Sequence, residues 1–186
     1  MPIGCYSLTP YVADALWKRR PATVLDLGAG MGFYGAVVRQ WCDMGVRPWR
    51  THLEGVEGFA GYRGPCWNLY DEMHVGPIGA FLEARPAQTW DAILLLDVIE
   101  HFADRDGEAL LTDLRGRLRP GGILLIGTPA IWQEQGAAHG NAYECHRSLW
   151  PAERLAAAGY NVLCDGQPDQ WGNSMALAAM FAFRRA

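Results

Sequence analysis

The sequence predicts an α/β fold, a doubly wound sheet with helices on both faces. Three observations carry that expectation. Apolar runs suited to buried strands alternate with segments of helical spacing from one end of the chain to the other. The clearest run, WDAILLLD, is almost continuously apolar, as parallel strands covered on both faces are. A glycine loop follows the first run directly and leads into a helix, the usual junction of a βαβ unit. At 186 residues the chain suits one domain, residues 1–186, whose first 20 residues form a helical segment able to cover a site.

Each element has its own signal. In LTPYVADALWKRRP, Thr9 offers an N-cap, Pro10 suits the first helical position, and Pro21 stops the helix. TVLDL is the first buried strand, and residues 28–32 form the turn after it. Apolar residues at Phe33, Val37, Trp41 and Met44 predict a helix closed by Gly45. THLEGVE predicts a second strand ending at Glu57, EMHV a short third, and PIGAFLEA a short helix. After WDAILLLD comes VIEHFADRDG, then a helix with Leu110, Leu111, Leu114 and Leu118 on one face. LRPGG reads as a turn and ILLIGT as the fifth strand. A polar loop spans about 129–147, a helix about 151–158, and YNVLC and MALAAMFAFRR close the chain as strands.

Composition excludes several classes. The net charge is −4 with no basic block, which argues against a nucleic-acid surface. Cys5, Cys42, Cys66, Cys145 and Cys164 are odd in number, scattered and free of CxxC spacing. That pattern predicts reduced thiols in a cytoplasm, with no disulfide framework and no metal site. The N-terminus lacks a signal-peptide pattern, and no run approaches the ~18 apolar residues of a membrane helix.

The functional signal begins at TVLDLGAGMGFYG. Gly28, Gly30 and Gly32 follow the order G-x-G-x-G, whereas a dinucleotide fingerprint needs G-x-G-x-x-G; its last position here is Phe33. A pyrophosphate would sit on the helix N-terminus, drawn by backbone N–H groups and the dipole. Asp26, just before the loop, adds negative charge and better suits a cofactor with a cationic end, such as S-adenosylmethionine. Glu57 ends the second strand, where an acid can accept hydrogen bonds from a ribose diol. Glu54 competes for that role, and the glycines at 55 and 58 leave the register open.

With these residues in place the chain resembles the class I S-adenosylmethionine-dependent methyltransferases of the small-molecule type. VLDLGAGMG resembles their first motif, GVEGF the acidic end of their second strand, WDAILLLDVIEHF their fourth-strand motif and LRPGGILLIGTP their fifth. The resemblance implies a Rossmann-like sheet of seven strands, mostly parallel with the last antiparallel. It implies that Asp26, Gly28, Ala29, Gly30 and Gly32 contact the methionine part of the cofactor and Glu57 its ribose. Gly58 and Phe59 would lie against the adenine, and Asp97 beside the amine and methyl group. Pro77 stands where the family often has an acid for the adenine, which leaves Ile78 to pack on the ring.

Methyl transfer is a direct displacement that chiefly requires alignment. A base is needed where the accepting atom must lose a proton, and Glu100, His101, His139 and His146 are the candidates. His101 and His146 read equally as structural residues, packed on the cofactor or tied to loop carbonyls. Asn141 and Tyr143 would bind substrate or order their loop. Arg147 would grip a substrate carboxylate or pair with Glu144 or Glu153. Tyr11 and Trp132 would wall the pocket or serve as packing. No N/D-P-P-F/Y tetrapeptide follows the fourth strand, so base methylation is disfavoured and O-methylation of a metabolite or natural-product intermediate slightly favoured. The expected partners are a small-molecule substrate, no nucleic acid and no membrane, with the chain a monomer or homodimer. Two alternatives stand beside this reading: an NAD-dependent oxidoreductase, and a non-catalytic cofactor-binding subunit.

Overall fold

A computed structural model describes residues 4–138 and 140–182. His139 lies outside the described residues. The chain runs α1 (Thr9–Arg19), β1 (Thr23–Leu27), α2 (Phe33–Cys42), β2 (His52–Glu57), β3 (Glu72–Val75), α3 (Ile78–Glu83) and β4 (Trp90–Leu96). It continues with α4 (Asp104–Gly116), β5 (Leu118–Pro129), α5 (Ala152–Ala157), β6 (Asn161–Pro168) and β7 (Ser174–Phe181). One sheet of seven strands results, in the order β3-β2-β1-β4-β5-β7-β6. Only β7 runs against its neighbours, pairing antiparallel with both β5 and β6. The seven-stranded, mostly parallel architecture expected above is therefore present.

The strand order sets where a ligand can bind. From β1 the chain steps outward to β2 and β3, then returns to β4 on the other side of β1. The crossovers leave a crevice where the order reverses, at the carboxyl ends of β1 and β4. Both faces of the sheet are covered. Val12, Leu16, Val38, Leu53, Leu94 and Leu125 pack in one apolar layer beneath α1 and α2. Leu25, Leu27, Ile93, Leu95, Leu114 and Trp150 pack in the other beneath α3, α4 and α5. Among the described residues no helix is long and apolar enough to cross a membrane.

Two elements differ from expectation. α2 ends at Cys42, because the Asp43 carboxylate accepts from the backbone N–H groups of Arg50 and Thr51 and turns the chain there. Its buried stripe is Tyr34, Val37, Val38 and Cys42, while Trp41 and Met44 face outward at 42% and 59% exposure. Trp41 meets Trp17 of α1 edge to face, with ring centroids 6.4 Å apart. Leu118 opens β5 rather than closing α4: it pairs with Trp90 across the sheet, and LRPGG is a bulge inside a longer strand.

Candidate active site

A cavity of 540 Å³ opens at the crevice between β1 and β4. The glycine loop forms its floor. Gly28, Gly30 and Gly32 take φ angles of 75°, 54° and 90°, a left-handed region that side chains disfavour. A Cβ at Gly28 would lie 2.3 Å from Val98 Cγ2, so β1 and the turn after β4 meet there at glycine distance. The loop is also tied to β2: the N–H groups of Gly28 and Ala29 both donate to the Val56 carbonyl, at 2.8 and 3.0 Å. Trp67 Nε1 donates to the Gly30 carbonyl from the far side at 2.8 Å.

Glu57 completes this floor. Its Oε2 accepts from the Gly30 N–H and its Oε1 from the Phe59 N–H, each at 2.8 Å. Burial raises its pKa, opposed by these backbone donors. Each oxygen keeps a further lone pair toward the cavity that Glu57 lines. Glu54 is excluded from this role. It lines a separate surface cavity near the amino ends of β1 and β4, where its Oε1 accepts from Gln88 Nε2 and Trp90 Nε1.

Of the other expected cofactor residues, Gly28, Ala29, Gly30, Gly58, Ile78 and Asp97 line the cavity. Asp26, Gly32 and Phe59 do not. Asp26 is 2% exposed and accepts a 2.6 Å hydrogen bond from the Tyr70 hydroxyl, which in turn accepts from the Gly35 N–H. It braces the start of the loop from behind, and burial lifts its carboxyl to about 7 despite that hydrogen bond. Gly32 faces Cys66, whose Cβ would lie 2.9 Å from an added methyl. The Phe59 ring turns away to pack on Tyr62, centroids 5.0 Å apart.

Asp97 follows β4 directly in a left-handed conformation, φ 57°, uncommon for a residue other than glycine. Its N–H is held by the Gly127 carbonyl at 2.9 Å, which fixes the turn. Burial, then the neighbouring negative charge of Glu100, raise its carboxyl to about 7.

Glu100 and His101 share the short turn Ile99–His101 that follows. Glu100 is buried, and its Oε2 accepts from the Thr128 hydroxyl at 3.1 Å. Its backbone carbonyl accepts from the N–H groups of Arg147 and Ser148, which anchors the end of the loop after β5. His101 lines the main cavity, and its Nδ1 lies 3.3 Å from the Cys145 carbonyl oxygen. Burial pushes its pKa down to about 4, so the ring is a weak base. His146 does not reach the main cavity. It lines a 50 Å³ cavity behind the wall, together with Glu100, Asp97 and Cys5. Its Nδ1 lies 2.8 Å from the Gln133 carbonyl, and burial lowers its pKa too. The His101 and His146 rings stand 5.1 Å apart.

The expected substrate residues divide. Asn141, Tyr143 and Arg147 line the cavity; Tyr11 and Trp132 do not. Tyr11 packs against the core beneath α1 and lines a separate surface cavity with Ile123, Leu163 and Phe181. Trp132 is 45% exposed and meets the outer edge of His146, centroids 6.4 Å apart. Asn141 is buried and caps the turn Ala142–Glu144 by accepting from the Tyr143 N–H. The Tyr143 ring lies over Gly58, 3.0 Å from where a Cβ would stand, and both line the cavity. Arg147 donates to the carbonyls of His101, Cys145 and Ala142, which makes it a brace for the loop.

Several lining residues escape the sequence reading, among them Tyr34, Tyr62, Phe102 and Asp106. Tyr62 is fixed by donating to Glu144 Oε1 at 2.8 Å, a contact spanning 82 residues that no local pattern signals. Gly4 touches both cavities, its carbonyl held by Gln170 Nε2, while the next carbonyl, of Cys5, accepts from the Tyr34 hydroxyl.

The fold has known counterparts. Residues 6–164 match a family described as a methyltransferase domain. Among curated proteins none matches the chain. Its structure is similar to a Burkholderia thailandensis 1,6-didemethyltoxoflavin-N1-methyltransferase bound to 1,6-didemethyltoxoflavin and S-adenosylhomocysteine: 19% identity, TM-score 0.67, with 96% of this chain and 79% of that one covered. It is also similar to the N-terminal domain of EvdMO1 with S-adenosylhomocysteine and D-fucose: 15% identity, TM-score 0.64, coverage 94% and 82%. A third is the O-methyltransferase TomG from Streptomyces achromogenes with S-adenosylmethionine: 13% identity, TM-score 0.62, coverage 94% and 79%. At these identities the likeness is one of fold.

Proposed function

Because the chain belongs to the methyltransferase-domain family, matched over residues 6–164, we propose that it transfers a methyl group from S-adenosylmethionine to an oxygen of a small metabolite or natural-product intermediate. The observation that carries this reading is the charge of the cavity. Glu57, Asp97, Asp106 and Glu144 line it, and Arg147 is the one lysine or arginine among its described lining residues. An acidic cavity suits a ligand with an ammonium and a sulfonium and opposes a pyrophosphate.

The backbone supports the same choice. A dinucleotide needs loop N–H groups for its phosphates. Here those of Gly28 and Ala29 serve Val56, and that of Gly30 serves Glu57. The residues present therefore fit S-adenosylmethionine and disfavour NAD.

Bound in this cavity, S-adenosylmethionine supplies an electrophilic methyl group on a positively charged sulfur. Glu57 holds the ribose hydroxyls through its remaining lone pairs. Ile78, at the start of α3, offers an apolar surface to the adenine. Asp97 receives the amine, whose positive charge draws the raised carboxyl back toward its ionised form. Tyr143 and Asn141 cover the acceptor side and exclude water. A cavity of 540 Å³ lies within the range of small-molecule sites, ~300–1,000 Å³.

Calorimetric titration tests the cofactor. S-adenosylmethionine should bind at ~100 μM, within the range common for substrates, and NAD should not. Silence with the former and heat with the latter would overturn the assignment. The accepting atom is tested by S-adenosylhomocysteine release against paired hydroxyl and amine acceptors of matched skeleton. Turnover confined to the amines would displace the oxygen reading.

A further inference from the structure

We propose that Glu100, His101 and His146 form a binding site for a divalent first-row transition-metal ion in the wall of the cavity. A carboxylate oxygen and one ring nitrogen from each histidine lie within 4.8 Å of one another. They come from two separate pieces of chain. Glu100 and His101 follow β4, and His146 sits 45 residues on from His101, in the loop after β5.

The hydrogen bonds around the cluster prepare the rings as ligands. Nδ1 of His101 faces the Cys145 carbonyl at 3.3 Å, and Nδ1 of His146 faces the Gln133 carbonyl at 2.8 Å. A carbonyl only accepts, so Nδ1 of His146 carries the proton and its Nε2 keeps a lone pair, while the His101 ring also faces the Asp97 backbone and turns from it to bind an ion. Metal-binding imidazoles are held in this way, one N–H on a backbone carbonyl and the other nitrogen on the metal. The Thr128 hydroxyl steadies the carboxylate of Glu100 in the same manner. Asp97 and Glu100 bring two carboxyl groups together beside the cluster.

The donor set selects the ion. Two imidazoles and one carboxylate suit zinc, manganese, iron or cobalt, whereas magnesium and calcium prefer oxygen alone. Bonds of ~2.0–2.2 Å require the three donors to close by about an ångström, within the reach of side-chain rotation. Three protein ligands leave coordination positions open. His101 borders the main cavity and His146 the smaller one, so the ion lies in the partition between them.

An acceptor hydroxyl bound to the open position loses its proton to water at a lower pH than in solution. Its oxygen then forms a bond to the methyl carbon as the carbon–sulfur bond breaks, and that electron pair stays on sulfur. This role rests on the oxygen methyl-transfer reading above; the ion's binding does not.

Visible absorption of cobalt(II) tests the site on the full chain after chelator treatment. One cobalt ion per chain should bind saturably, displaced by zinc. His146→Ala and the isosteric Glu100→Gln should each weaken binding by at least the ~10–100-fold typical for losing an outer partner of a metal site. Both variants should still take up S-adenosylmethionine in calorimetry, which shows that they are folded. No saturable cobalt binding by the wild type, or equal binding by both folded variants, would overturn the proposal. Because cofactor titration and cobalt titration are separate measurements, failure of the metal site leaves the methyltransferase assignment standing.

Discussion

Glu57 and Asp26 show how one residue type takes opposite roles in a single site. Glu57 accepts two backbone hydrogen bonds and still borders the cavity. Glu57→Ala should weaken S-adenosylmethionine binding by ~1–3 kcal/mol in calorimetry, the cost of removing a charged acceptor. Unchanged affinity would show that the ribose is held elsewhere. Asp26 is withdrawn behind the loop, and burial lifts its carboxyl from 3.8 to about 7. Between those values the folded state binds the extra proton, so this group's contribution to stability falls as pH rises from 3.8 to about 7. Asp26→Asn keeps an oxygen for Tyr70 and removes the titration. The variant's denaturation midpoint, relative to wild type, should climb across that window; a difference flat with pH would refute the assignment. Glu57 was legible because strand end and acid are adjacent in the sequence. The retreat of Asp26 was not, because Tyr70 lies 44 residues away.

The most constrained element is the turn joining β1 to α2. Gly28 combines a φ of 75° with a Cβ position 2.3 Å from Val98. Gly28→Ala should cost ~1–2 kcal/mol for the left-handed backbone and ~1–3 kcal/mol for overpacking. Chemical denaturation measures the sum, and a loss below 1 kcal/mol would mean that Val98 yields freely. This turn could be read from spacing alone, since strand, glycines and helix are contiguous. The faces of α2 could not be read so well. Spacing of four placed Trp41 on the buried stripe, yet Val38 and Cys42 occupy it and Trp41 packs on Trp17 at the surface. Periodicity gives the repeat of a helix, whereas the neighbours decide its rotation. The loop of 130–147 was legible only as a loop. The contact of Arg147 with the His101 carbonyl, and the approach of His146 to His101, depend on chain segments that meet only in the folded sheet.

At the scale of the whole molecule, sheet topology gathers side chains from the ends of β1, β2 and β4 and the loop after β5 into one acidic cavity. Ligand binding there should stabilise the entire domain. S-adenosylmethionine at 100 times its dissociation constant should raise the unfolding free energy by ~2.7 kcal/mol, readable as a higher melting temperature. NAD at the same concentration should leave the transition in place, and an equal shift with NAD would reverse the cofactor order. The alternation of strands and helices announced this architecture because each element's burial is local in sequence. The cavity's acidity was half visible in Asp97 and Glu57. Glu144 and Asp106 joined it through folding.

The two ends of the described chain lie at different places on the domain. Gly4 sits in the wall shared by both cavities. β7 runs the other way, passing Pro129 at Met175 and Ile123 at Phe181, so Ala182 lies at the end of the sheet remote from the crevice. Gly4 therefore lies nearer the ligand cavities than Ala182 does. An affinity tag, fluorescent reporter or surface tether belongs on the Ala182 side of the chain, away from both cavities.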